Sequence, residues 1–387
     1  MKLVIWHNLL WSRYKAGVFS ALHRLSAARD IDVFVHQIAE TAADRAVLSP
    51  VDRAWHDYDY DVLFQGNYAA VPRVELFRKL ISMTFKSHAD LVILAGFERP
   101  EYWLQALTLK LRGKRFAVFC DSTLNDNPQS GLKSAAKRLF FSMCSGVFCY
   151  GERSREYLIY HGVPKERIFQ RRQAAALPRD YTPEGALNAR VAAMAKAEVP
   201  RFLYVGRLAA EKSLDTLLKA FAISCKTLPK ARLAIVGKGP EESALRAEAE
   251  RLGIAEMVEF AGSKFDQDLT EEYQKATALV LPSLSEPWGL VVNEALSFGC
   301  PVVVSERCGC VPELVVDGVT GFAHPWGDTA ALADRMLLAV STFADPEATA
   351  RACIGHMAGF TPAVAATGIL DGVDVITKRD MPREVVA

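Results

Sequence analysis

Two successive parallel α/β domains are the fold class this sequence predicts, and three observations predict it. Short apolar runs alternate with longer segments of helical period, the alternation lapses once near the middle, and it then restarts. A length of 387 residues suits two domains of roughly 150 to 200 residues each. Half of the residues are hydrophobic, enough for two cores.

In the first domain KLVIW, IDVFVH, DVLFQ, DLVILAG, KRFAVFC and SGVFCYG read as strands. The segments VFSALHRLSAA, VELFRKLISMTF, PEYWLQALTLKL and SAAKRLFFSM read as helices between them. After GVPKERIFQRR comes AAALPRDYTPEGALNARVAAMAKAEVP, rich in Ala and Pro and without a clear strand, which reads as a linker. The second domain then runs through RFLYVG, SLDTLLKAFAISCK, ARLAIVG, EESALRAEAERLG, MVEFAG, LTEEYQKA, TALVLP, GLVVNEALSFG and PVVVSE. The expected division is 1–180 and 181–360, with a tail at 361–387 that packs back on the first domain. Both domains are Rossmann-like, and a ligand cleft is expected between them, because open parallel sheets bind at the carboxyl ends of their strands.

Composition excludes several classes. The net charge of +1 argues against a nucleic-acid binder carried by bulk electrostatics. Locally, residues 101–172 hold thirteen Lys or Arg against six acids, and KSAAKRLFFSM mixes cations with apolar residues at helical spacing. That pattern suits either an interfacial helix on an anionic membrane or an ordinary packed helix. The eight cysteines are scattered, with no zinc spacing, and are expected as reduced, buried thiols; Cys308 and Cys310 are too close for an ordinary disulfide. The opening apolar run is too short for a signal peptide, and no segment is expected to reach the ~18 to 20 apolar residues of a membrane span. A cytoplasmic protein is expected.

The chemistry concentrates in the second domain. In SEPWGLVVNE, Glu286 and Glu294 lie eight residues apart around a helix start near Gly289. The first amides, at Gly289, Leu290 and Val291, have no partner within the helix and present its positive end to an anion. Carboxylates beside such a site suit hydroxyl donors, although a helix cap at Glu286 and a solvated acid at Glu294 fit the spacing equally well. In YVGRLAAEKS, Gly206, Arg207 and Lys212 stand at the end of a strand, and two cations there suit a diphosphate; an ion pair of Lys212 with Glu211 or Asp215 is the plainer alternative. Gly237 and Gly239 in VGKGPEE lack the third glycine of a dinucleotide fingerprint and suggest a tight turn open to a ligand. The DxD spacings Asp57-Tyr58-Asp59 and Asp59-Tyr60-Asp61 precede DVLFQ, the wrong end of a strand for a ligand site.

From 201 to 343 these pieces resemble, in order and spacing, the nucleotide-sugar domain of GT-B fold glycosyltransferases, closest to family 4. The resemblance implies two Rossmann-like domains facing each other across a cleft. It also implies transfer of a sugar from a UDP- or GDP-sugar with retention. Because the DxD spacings lie at the wrong end for the cleft and Arg207, Lys212 and the helix amides can supply the positive field instead, no metal or tightly bound cofactor is expected. By the same resemblance Glu286 contacts the transferred sugar, Glu294 the ribose, and Arg207 and Lys212 the diphosphate. Ser263 and Lys264 fall in the base-binding loop. Gly17, read as lying in the loop after the first strand, takes the place of the glycine loop near donor and acceptor. The first domain matches only in pattern, and Asp121-Ser122 stands where many relatives carry a histidine. The acceptor is a glycan, a lipid-linked group or a small molecule. A catalytically silent sugar-nucleotide-binding subunit and a GT-B epimerase are the alternatives.

Overall fold

The structure is a computed structural model that describes residues 1–42, 51–126 and 130–378. The last nine residues of the expected tail lie outside that description. The chain divides into two compact units: unit 1 is Met1–Ala176 with the chain from Thr361 on, and unit 2 is Leu177–Phe360.

Unit 1 is built on seven strands: β1 (Lys2–Leu9), β2 (Asp32–Thr41), β3 (Tyr60–Asn67), β4 (Leu91–Leu94), β5 (Arg115–Cys120), β6 (Gly146–Cys149) and β7 (Ile168–Gln170). They pair in parallel in the order β3-β2-β1-β4-β5-β6-β7. Successive residues of β1 alternate between two cores: Val4 and Trp6 in one, Leu3 and Ile5 in the other. A sheet covered on both faces explains why its strands read as unbroken apolar runs. The helices Arg13–Ser26 and Pro362–Thr377 cover one face, packed on each other.

Unit 2 holds β8 (Arg201–Val205), β9 (Arg232–Val236), β10 (Val258–Gly262), β11 (Ala278–Leu281), β12 (Val302–Ser305) and β13 (Gly321–His324). Their order is β10-β9-β8-β11-β12-β13, again parallel. In each unit the chain winds outward in one direction from the first strand and in the other from its fourth. Loops after β8 and β11 therefore diverge and leave a crevice at the switch point.

Three expectations need correction. The supposed linker contains a helix, Pro183–Met194, started by a Thr182 side chain that accepts from the Gly185 amide and by proline in the first turn. Buried Arg190 anchors it, donating to the carbonyls of Tyr273, Gln274 and Ala276 at 2.5–3.0 Å, so it belongs to unit 2. Gly17 lies inside the helix Arg13–Ser26, not in a loop, because that helix starts earlier than its apolar pattern. Finally, Pro346–Thr377 is long and apolar enough to span a membrane by composition, at a mean hydropathy of 1.3. It is split at Thr361, whose side chain caps a new helix, and its second half carries Asp374 paired with Arg29.

Candidate functional site

The loop after β8 is locked to its neighbours through the main chain. The Gly206 amide donates to Val236 O, Leu208 N to Lys238 O and Gly237 N to Gly262 O, at 2.7–3.0 Å. A Cβ on Gly237 would stand 1.9 Å from Gly206 O and one on Gly239 2.1 Å from Leu208 O, and Gly237 has φ +138°. The glycines of VGKG thus admit neighbouring backbone rather than a ligand, which corrects the reading of that turn.

This lock carries Arg207 and Lys212 to the crevice. Lys212 Nζ lies 2.5 Å from Glu286 Oε2 with both side chains largely buried, and it pairs with neither Glu211 nor Asp215. Arg207 pairs with Glu211 at 2.5 Å and keeps its side chain 58% exposed. Ser213 precedes the helix Leu214–Ser224, but its hydroxyl accepts from Trp326 Nε1 instead of capping.

Glu286 sits on a loop fastened from the far side. Gly309 N donates to Glu286 O and Cys310 N to Trp288 O at 2.9 and 3.1 Å, while Arg307 Nε donates to Leu284 O at 2.7 Å. Gly289, at φ +103°, then turns the chain into the helix Leu290–Ser297. A side chain added there would press on Leu281 at 3.2 Å and would have to adopt the left-handed backbone that favours glycine. The helix has no acid in its first turn and no side-chain cap, so its first amides, Leu290 and Val291 among them, stand at the crevice. Glu286 is therefore no helix cap.

Glu294, one turn in, is no solvated acid either. Its Oε2 accepts from Tyr273 OH at 2.7 Å. Burial pushes its carboxyl up to about 7, with the Tyr273 hydroxyl pulling the other way. Ser263 and Lys264 follow β10, and Lys264 is engaged by Glu272 at 2.5 Å. Burial works to raise Glu272, but Lys264 and Arg201 outweigh it and hold the carboxyl below its usual range.

In unit 1, Asp121 follows β5 and meets Lys15 Nζ at 3.9 Å and Arg171 Nη2 at 3.5 Å. Gly17 faces Pro362, where an added Cβ would make only ordinary contact at 3.7 Å. His7 is buried and neutral, held down at about 3 by burial and by Lys15, and its Nδ1 bonds Gln37 Oε1. Asp57 pairs with Arg24 and Asp61 with His36 at the amino end of β3, so the DxD spacings lie away from the carboxyl edge of their own sheet.

Sequence reasoning missed Tyr273, Trp326, Arg307 and Glu272. Each comes from a distant segment and carries no local motif.

Two Rossmann-like units, with paired cations and carboxylates at a helix start in the second, give the chain the GT-B fold, the fold of a class of glycosyltransferases. Residues 189–351 match the family model described as glycosyl transferases group 1. The chain is 28% identical over 369 residues to a D-inositol 3-phosphate glycosyltransferase of Mycobacterium sp. (strain KMS), covering 88% of this chain and 80% of that one. It is 39% identical over 134 residues to sulfoquinovosyl transferase SQD2 of Arabidopsis thaliana, covering 34% of this chain and 24% of that one. Among solved structures it shares the fold of Anabaena Alr3699/HepE in complex with UDP and glucose. There the TM-score is 0.71 at 17% identity, over 97% of this chain and 99% of that one.

Proposed function

We propose that the protein moves a sugar from a UDP- or GDP-sugar to an acceptor hydroxyl, retaining the anomeric configuration and using no metal. The observation that carries this reading is the Lys212–Glu286 pair at the β8–β11 switch point, beside the open end of the helix Leu290–Ser297. In the resting site the two groups neutralise each other. An arriving diphosphate takes Lys212 and Arg207 and leaves Glu286 to accept hydrogen bonds from the sugar hydroxyls. The helix amides add positive potential at the phosphates. Glu294, next to Tyr273, receives the ribose hydroxyls, and Ser263 with Lys264 borders the base. That a protein of the same fold was solved with UDP supports the choice of donor.

In the chemical step the acceptor oxygen bonds the anomeric carbon as the bond from that carbon to the diphosphate oxygen breaks. The bonding electrons leave with the diphosphate, and the acceptor's proton passes to the departing phosphate oxygen on the same face. Lys212, Arg207 and the helix amides stabilise the growing negative charge, the part a metal would otherwise play. Asp121, at the carboxyl edge of the first sheet, accepts from an acceptor hydroxyl in unit 1.

We place the enzyme in the cytoplasm, in keeping with its eight free thiols, all but Cys225 buried. The helix Gly131–Met143 touches an anionic membrane, where a lipid-linked acceptor would reside. The experiment is incubation with a panel of UDP- and GDP-sugars: slow release of free nucleotide diphosphate is expected from at least one. Binding without any release across the panel would instead mark a silent binding subunit.

A further inference from the structure

We propose that Lys15 and Arg171, converging on Asp121 at the carboxyl edge of the first sheet, bind the phosphate of a phosphorylated acceptor. Only the word acceptor rests on the glycosyl-transfer reading; the anion site stands on its own geometry. Lys15 is 5% exposed and Arg171 1% exposed. Both approach one carboxylate, Asp121, at 3.9 and 3.5 Å, so two buried cations share a single counter-charge at more than ordinary hydrogen-bond length. Arg171 Nη1 donates to Gln173 Oε1 at 3.2 Å, but its Nε and Nη2 make no hydrogen bond among the described residues, nor does Asp121 Oδ1. A buried guanidinium with two idle N–H groups is costly unless something else completes it.

The surroundings point to an anion. The helix Arg13–Ser26 begins just after β1 and puts Arg13 and Lys15 in its first turn, with no acid there and no side-chain cap. Cations at the positive end of a helix repel it, and a bound anion reverses the sign of both terms. Tyr150 and Phe119 hold both cations from the side: Arg171 lies 4.2 and 5.1 Å from their ring centres and Lys15 5.0 and 5.2 Å. Packed this way the cations are fixed and dry, ready to meet a rigid oxyanion. Burial and Arg171 push the Lys15 ammonium down to about 7 against the pull of Asp121, a sign of too little negative charge nearby. The Asp121 side chain, 37% exposed, marks where the cluster opens. A phosphate ester fits: the Arg fork and the Lys point charge take its oxygens, and Asp121 accepts from a hydroxyl beside it.

The test is calorimetric titration of the full chain with inorganic phosphate in saturating UDP, which keeps phosphate out of the unit 2 site. Saturable binding is expected, weakened at least ~10-fold in both Arg171→Gln and Lys15→Gln. Asp121→Asn is expected to do the opposite: phosphate binds it more tightly and raises its melting temperature more than that of the parent. Equal phosphate affinity in the parent and Arg171→Gln overturns the site. If Arg171→Gln does not fold, Asp121→Asn decides alone, and no gain there overturns it. UDP titrations of the same samples separate this proposal from the donor reading. Normal UDP binding without a phosphate site sinks only the former, and phosphate binding without UDP binding sinks only the latter. Competition by sugar and cyclitol phosphates identifies the source. Esters that outcompete inorganic phosphate, with their unphosphorylated counterparts inert, support the acceptor; inorganic phosphate outcompeting every ester overturns that assignment.

Discussion

Lys212 and Glu286 hold each other in the resting site, so in the proposed function the cation that would meet the donor is already neutralised by a carboxylate that the donor would engage in turn. Exchanging that pair for a diphosphate and a sugar hydroxyl leaves neither group bare. Contacts from charged groups to phosphate are worth ~1.5 to 3 kcal/mol each, so Lys212→Ala and Arg207→Ala are each expected to weaken UDP or GDP binding at least ~10-fold. Calorimetry finding parental affinity in both folded variants would remove them from the site. Glu294 yields a pH prediction. Its raised carboxyl means that, between the ordinary glutamate range and about 7, the folded site holds a proton that the unfolded chain has lost. Stability contributed by that protonated form therefore falls as pH rises through this window. Ribose hydroxyls prefer the carboxylate, so donor binding expels the proton, and affinity should rise with pH and level off above about 7. The slope due to Glu294 is at most ~10-fold per pH unit. Comparing UDP-sugar affinity at pH 5.5 and 7.5 isolates it, because Glu294→Gln lacks this component; identical pH profiles would contradict the assignment.

Among the elements, the helix Gly131–Met143 carries the proposed membrane contact. Phe140 and Phe141 pack into the core, as an ordinary covering helix requires. On its outer side Leu132 is 90% and Leu139 60% exposed, seven residues apart and therefore on one face, flanked by exposed Lys133 and Arg138. Packing thus uses one side and leaves a basic, apolar stripe on the other, the composition of a membrane-surface contact. Flotation with phosphatidylserine-rich vesicles at low salt is expected to carry the parent, and Leu132→Ser with Leu139→Ser to lose most of it. Equal flotation on neutral and anionic vesicles would reject the surface.

For the whole molecule, the proposed step needs no metal because positive potential comes from Lys212, Arg207 and the first turn of the helix Leu290–Ser297. Turnover is expected to persist in excess EDTA, and NMR of the product is expected to show the donor's anomeric configuration. Activity lost to EDTA and restored by Mg²⁺ or Mn²⁺, or an inverted linkage, would overturn the mechanism.

Most of both sheets was legible from the residues, since a strand covered on both faces must be apolar throughout and the helices between keep their own period. The places of Glu286, Glu294, Arg207 and Lys212 beside the second sheet's carboxyl edge were legible too, because each stands within a few residues of a strand end or helix start. The helix Pro183–Met194 was not, because its stability comes from Arg190 reaching the carbonyls of Tyr273, Gln274 and Ala276, more than eighty residues away. Sequence alone thus determined the α/β class, the two-part division and the helix-start motif, all of which rest on local periodicity and chain direction. Tertiary structure alone decided which carboxylate Lys212 faces, that Tyr273 meets Glu294, and that Lys15 and Arg171 share Asp121. The physical reason is that burial and charge pairing depend on distance in space, and these partners lie 74, 21, 106 and 50 residues apart along the chain.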